Sequence, residues 1–225
     1  ILVVAGNVNL NQVKKYSEKW FGDITPGPQY KRNLPREPRQ MEKRIKEVSG
    51  NVPLDAIYKV FHMPGRSEDT YHIADLMSDI LGRSNSSRLH ERLVKEKKLF
   101  NDINSYVTGS ADPGLMIISG KLNKGASIED AERELEAIIS ELQLHKIDDE
   151  ELFKVKNQAE ATLIFGEVEL LNRAMNLAYY AFLGDADMIN KEADKIQSVN
   201  AEDIQAMANE ILKPENSTTL YYRTV

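Results

Sequence analysis

Four histidines, His62, His72, His90 and His145, are the side chains here best able to ligate a metal or move a proton near neutral pH. Two zinc-binding histidines on one helix need an i, i+4 spacing so that both imidazoles reach one metal. No pair has it, and neither H-E-x-x-H nor H-x-x-E-H occurs. His90 and Glu91 are adjacent, which on a helix turns them about 100° apart. His90 therefore reads as a surface residue, and the other three as surface or half-buried ones. The acidic run Asp148-Asp149-Glu150-Glu151 stands at a helix start, where negative charge complements the macrodipole. Glu132–Glu136 and Glu91–Lys95 read as solvated i, i+4 pairs. Gly82-Arg83-Ser84-Asn85 lacks the G-x-x-x-x-G-K-[ST] pattern, so nothing supports phosphate binding. Lys95-Glu96-Lys97-Lys98 reads as a solvated helix end, and no reaction centre emerges from these residues.

Composition narrows the remaining chemistry. The 225 residues include no cysteine, which excludes disulfides, thiolate metal sites and cysteine nucleophiles within this chain. Twenty-nine basic against 35 acidic residues give a net charge of −6, which disfavours a general nucleic-acid footprint. No apolar run approaches the roughly 18–20 residues of a membrane-spanning helix. Cytoplasm and periplasm are equally compatible with this composition.

The elements that must position any site follow from periodicity. Residues 1–5 form a short β-rich run with no initiator Met, as expected of a piece of a longer protein. Asn9 is placed to cap a helix over residues 10–20, with Gln12 completing a capping box. Val13, Tyr16, Trp20 and Phe21 make its apolar stripe, and Trp20 is expected in a core. Residues 23–39, with Pro26, Pro28, Pro35 and Pro38, read as an extended linker and domain boundary.

Strand-like runs follow at residues 44–48 and 54–63. A helix carrying Ile73, Met77, Ile80 and Leu81 then ends at Gly82. Residues 83–87 form a polar loop and 88–98 a short charged helix. Strands at 103–108 and 115–122 flank an Ala111-Asp112-Pro113-Gly114 turn. Ser127 caps a helix with Ile128, Ala131, Leu135, Ile138 and Leu142 on one face. A long helix opens at Asp148 and runs through a bend at Gly166 to Tyr180. Helices at 188–196 and 201–212 precede a closing strand at 218–222. Hairpins with grouped helices between them predict an α+β fold, a largely antiparallel sheet covered by helices.

Three local segments in this order resemble the insulinase/pitrilysin family of zinc metallopeptidases, in particular its small bacterial zinc-protease members. They are Ile1-Leu2-Val3-Val4-Ala5-Gly6 with Gln12 to Gly22, then Ile80-Leu81-Gly82 with Ser86-Ser87-Arg88-Leu89, then Asp112-Pro113-Gly114-Leu115 with Glu150-Glu151-Leu152 and residues 200–208. The resemblance implies paired αβ domains, with the zinc motif in the first. Residues 1–22 would be the last strand and helix of that zinc-bearing domain. Residues 40–225 would be the non-catalytic second domain, as in the C-terminal half of such enzymes.

On this reading zinc belongs to the parent protein, upstream of this chain, and no residue here is a metal ligand or catalytic. The chain would form chamber wall around a peptide substrate and an interface with a related family subunit, as a homo- or hetero-oligomer. Arg83, Ser84, Asn85, Ser86, Ser87 and Arg88 stand where some relatives carry a substrate-contacting glycine-rich loop. Many relatives also carry an Arg and, seven residues on, a Tyr that bind substrate. Here Val94 and Asn101 occupy those places, with Arg92 and Tyr106 nearby at the wrong spacing. The parent is then the zinc-bearing chain of a two-subunit pair or an inactive relative. The competing readings are an inactive scaffold or assembly subunit of the same family, and a free-standing α+β binding domain.

Overall fold

A computed structural model describes residues 1–28, 33–35 and 37–225. Residues 29–32 and 36 of the expected linker lie outside the described residues, and the rest of residues 24–39 forms neither helix nor strand. The chain divides into two compact units, Ile1–Pro38 with Thr162–Glu192, and Arg39–Ala161 with Ala193–Val225.

The larger unit is built on five strands: β1 (Arg44–Gly50), β2 (Ala56–Met63), β3 (Phe100–Val107), β4 (Gly114–Leu122) and β5 (Ser217–Thr224). Their order across the sheet is β1-β5-β2-β4-β3. The β2/β4, β3/β4 and β2/β5 pairings are antiparallel, and only β1/β5 is parallel. The fold is therefore α+β with a largely antiparallel sheet, as the hairpin grouping predicts.

Alternation along β2 and β4 sends Ile57, Phe61, Met63, Met116 and Ile118 to one face, where all are buried. Helices α2 (Tyr71–Gly82), α3 (Ile128–Leu144) and α7 (Ala201–Ile211) contribute Met77, Ile80, Leu135, Ile138, Ile204 and Met207 to the same core. The other parity places Tyr58, Val60, His62, Ile117, Leu220 and Tyr222 on the opposite face. There every one of them is half-buried or exposed.

Two local features depart from their expected causes. Gly82 closes α2, but the glycine is required by contact: a Cβ there would sit 2.1 Å from the Ser105 backbone nitrogen of β3. The expected charged helix after it is a π-helix, His90–Glu96, after which Lys98 takes a left-handed φ of 54°. The Lys98 carbonyl accepts from the Asn123 side chain at 2.8 Å, which ties that turn down.

The smaller unit holds α1 (Leu10–Phe21) and α5 (Leu170–Leu183), and its apolar surface is largely uncovered. Residues 1–5 are not a strand, because no described segment pairs with them. Asn9 caps α1 by accepting from Asn11 N at 2.9 Å rather than through a box with Gln12. The helix buries no residue, and Trp20, expected in a core, is 67% exposed. The long helix also differs from expectation. Between α4 (Asp149–Gly166) and α5 the chain leaves helical geometry at residues 167–169 instead of bending through. A 3-10 turn, Ala186–Lys191, and α6 (Glu192–Ser198) replace the single helix expected over 188–196.

Candidate functional site

The loop after α2 leaves Arg83, Asn85 and Ser86 exposed and Ser84 half-buried. Ser84 and Ser86 pair their hydroxyls at 3.1 Å, and Lys154 donates to the Ser86 carbonyl at 3.1 Å. The remaining two candidates face inward. Ser87 is buried, and Arg88 lays its guanidinium fork on Glu151 at 2.6 and 3.0 Å. That pairing gives Glu151 a second task beside its place at the start of α4, where Asp148 accepts from the Glu151 amide at 2.7 Å.

The Arg/Tyr places expected from the resemblance are filled differently. Val94 packs against the core from the π-helix, and Asn101 is exposed at a register shift between Phe100 and Asp102 of β3. Arg92 is committed to Glu141 at 2.6 Å, and Tyr106 is exposed on β3.

Two charged clusters went unrecognised in the sequence. The first centres on Lys59 of β2, only 1% exposed, whose ammonium meets Glu136 at 2.5 Å, Glu132 at 3.3 Å and the Thr219 hydroxyl at 3.3 Å. Lys43 also reaches Glu132 at 3.3 Å, and Tyr221 donates its hydroxyl to the same carboxylate. Burial works against the Glu132 charge, but the Tyr221 hydroxyl and the two ammonium groups outweigh it and hold its pKa below the usual range. Burial, followed by the bond to Glu132, pushes the Tyr221 phenol up. Glu132 and Glu136 are therefore not a solvated pair: they receive a cation buried in the sheet. A signal was present, since Lys59 shares parity with Ile57, Phe61 and Met63.

The second cluster lies in a cavity of about 360 Å³ between α2 and β3, lined by Asp75, Ser78, Asp79, Arg83, Ser105 and Tyr106 among others. Asp79 is 6% exposed and accepts from Arg83 at 3.0 and 3.2 Å. Burial is the largest influence on its carboxyl, and repulsion from Asp75 adds to it. Together they outweigh Arg83 and push the pKa up to about 6.

No histidine is among the residues that line the α2–β3 cavity. His72 is buried edge-to-face against Tyr71 at 5.5 Å, where a surface or half-buried place was expected. His62 and His90 are half-buried and His145 is exposed. Among the described residues no group of three His, Cys, Asp or Glu side chains could hold a metal ion. The residues present thus do not fit a zinc centre. No helix of the described residues is long and apolar enough to cross a membrane.

Comparison with known proteins decides the family. The sequence profile of the peptidase M16 inactive domain matches residues 1–159. The chain belongs to the peptidase M16 inactive domain family. This M16 inactive domain is 25% identical to zinc protease PqqE of Helicobacter pylori, over 99% of this chain and 51% of that protein. It is 24% identical to the uncharacterized zinc protease YmxG of Bacillus subtilis, over 98% of this chain and 53% of that one. It spans about half the length of these relatives. In fold it is similar to a protease from Helicobacter pylori, with a TM-score of 0.88 and 24% identity over 97% of this chain and 54% of that chain. It is also similar to a peptidase M16 inactive domain from Pseudomonas fluorescens, with a TM-score of 0.83 and 15% identity over 98% and 52%.

Proposed function

We propose that this chain is the non-catalytic part of a longer zinc-dependent endopeptidase, and that its sheet forms one wall of the chamber that holds the peptide. The observation that carries this reading is the open sheet face. All of the core lies on the helical side, while Tyr58, Val60, Ile117, Leu220 and Tyr222 offer a half-exposed apolar and phenolic surface on the other. Such a surface suits an extended peptide, whose side chains it contacts without demanding one sequence. Arg83, Ser84, Asn85 and Ser86 border the α2 end as polar contacts for that peptide, with Ser87 and Arg88 fixing their loop.

Zinc is then held by the part of the longer protein that this chain does not represent, in keeping with relatives named zinc proteases and with the poor fit of these residues to a metal. Residues 1–22 complete that metal-bearing domain, and residues 23–39 link it to residues 40–225. The support is an apolar groove of about 440 Å³ along α1, lined by Leu2, Val4, Val8, Tyr16 and Trp20, which needs a covering element. A related subunit carrying the Arg/Tyr pair supplies what Val94 and Asn101 do not.

Photocrosslinking tests the chamber wall. A benzophenone amino acid placed at Leu220 of the longer protein is expected to capture a bound peptide, and one at the exposed Lys124 is not. Equal capture from both positions, or from neither, contradicts it. The scaffold reading is favoured by the same replacements at 94 and 101. It prevails if the longer protein, with its related subunit recovered by pull-down, cleaves no peptide.

A further inference from the structure

α5 shows water an apolar surface that neither the chamber nor the core explains. Besides its two tyrosines, its only polar side chains are Asn172, Arg173 and Asn176, yet Tyr180 is its one buried residue. Leu171, Met175 and Phe182 are 69%, 60% and 61% exposed. With Ala178 between them they fall at steps of four, three and four, which puts them on one stripe of the helix. That is the spacing of a seam made to pack against another helix or an apolar wall.

The stripe is also held in shape. The Gly184 amide, at a left-handed φ of 118°, donates to the Tyr180 and Ala181 carbonyls at 3.1 and 3.2 Å and closes the helix. At the other end Asn172 donates to the Gly166 carbonyl at 3.1 Å and pins the turn from α4. Among the described residues nothing covers this capped helix face, and exposed apolar surface of this kind marks a docking site.

We propose that the metal-bearing remainder of the longer protein docks on it, laying an apolar face along Leu171, Met175 and Phe182. Three observations choose this occupant. α5 shares the smaller unit with α1, whose apolar groove needs the same covering, and the Leu170 side chain lies 3.7 Å from where a Gly6 Cβ would stand. Zinc proteases PqqE and YmxG carry about as much chain again as this one matches, enough to cover both helices. A partner on the same chain acts at an effective concentration on the order of millimolar, which favours it over a second copy. A lipid surface calls for a basic polar face, whereas α5 offers only Arg173 and is preceded by Glu167 and Glu169. The larger unit's chain leads into this segment after Ala161 and leaves it at Ala193. Docking on α5 therefore ties the metal-bearing part to this chain by a second route beside residues 23–39.

The inference rests on the reading of the chain as part of a longer protein, and not on its zinc or its sheet face. A crosslink from α5 reports docking whether or not the remainder holds metal, and metal analysis reports zinc whether or not α5 is covered.

The test is photocrosslinking in the longer protein, with benzophenone at Met175 or, as a control, at exposed Arg173 on the opposite side of α5. Met175 is expected to capture peptides from outside residues 1–225 in a product of monomer mass, and Arg173 is not. Capture of a second copy, capture confined to residues 1–225, equal capture from both positions, or none from either overturns the inference. In a second measurement, Met175→Glu is expected to speed amide exchange over residues 170–183 of the longer protein by about tenfold. Unchanged exchange overturns it equally. If that variant does not fold, the crosslink, which adds no charge, decides the matter.

Discussion

The Lys59 ammonium lies 2.5 Å from the Glu136 carboxylate, so a cation within the sheet is neutralised by the helix packed over it. Lys59 is sealed from solvent, while the side chains of Glu132 and Glu136 remain 19% and 40% accessible. Removing an acidic partner therefore strands a buried charge, whereas removing the lysine releases carboxylates that water can reach. Glu132→Ala, which also strips Tyr221 of its acceptor, is expected to cost about 2–3 kcal/mol in urea unfolding. Lys59→Met should cost less. The reverse order would show that the network does not centre on the lysine.

Asp79 gives stability an unusual pH dependence. Its folded pKa of about 6 exceeds the unfolded value of 3.8, so the folded state holds more protons between those values. Its contribution is present in full below the unfolded value and is lost as pH rises through about 6. The loss is on the order of 3 kcal/mol. Glu132 and Glu141, whose pKa values are lowered, act in the opposite sense as pH falls, so the effect must be isolated by difference. The unfolding free energy at pH 4.5 minus that at pH 7.5 should be less positive, or more negative, in Asp79→Asn than in the unaltered chain. An identical divergence would mean that Asp79 titrates normally.

Close approach of α2 to β3 makes position 82 intolerant. Any Cβ there meets the Ser105 backbone, which cannot rotate away as a side chain could. Gly82→Ala is expected to destabilise by about 3 kcal/mol or more, read as a lowered urea midpoint. A neutral result would mean that helix and strand separate easily.

Lys98 offers the opposite case. Its left-handed φ of 54° carries a steric cost that glycine escapes. Lys98→Gly should therefore stabilise by about 0.5–1 kcal/mol, provided that the Asn123 bond to its carbonyl survives. Thermal unfolding of the pair checks this.

Legibility in the sequence depended on how strongly a pattern repeats. Period-two runs such as Ala56–Met63 and three-four steps such as Ile128, Ala131, Leu135 and Ile138 record burial directly, so the strands, α3 and the α+β class could be read. Trp20 shows where that logic misleads, because an amphipathic stripe requires a partner but does not say whether this chain contains it. The Lys59 cluster has no such pattern: Glu132 and Glu136 read as neighbours on one helix, while their shared cation comes from a strand 73 and 77 residues away. Asp79 and Arg83 escaped for a related reason. Their i, i+4 spacing is ordinary, and only the β3 wall removes the water that would have made them so.

The central claim is that this domain carries no zinc and that the remainder of the longer protein does. Metal analysis by mass spectrometry, on the 225-residue chain and on the longer protein after exhaustive dialysis, tests it most directly. About one zinc per longer protein and none in the isolated chain is the predicted result. Stoichiometric zinc retained by the isolated chain would contradict it.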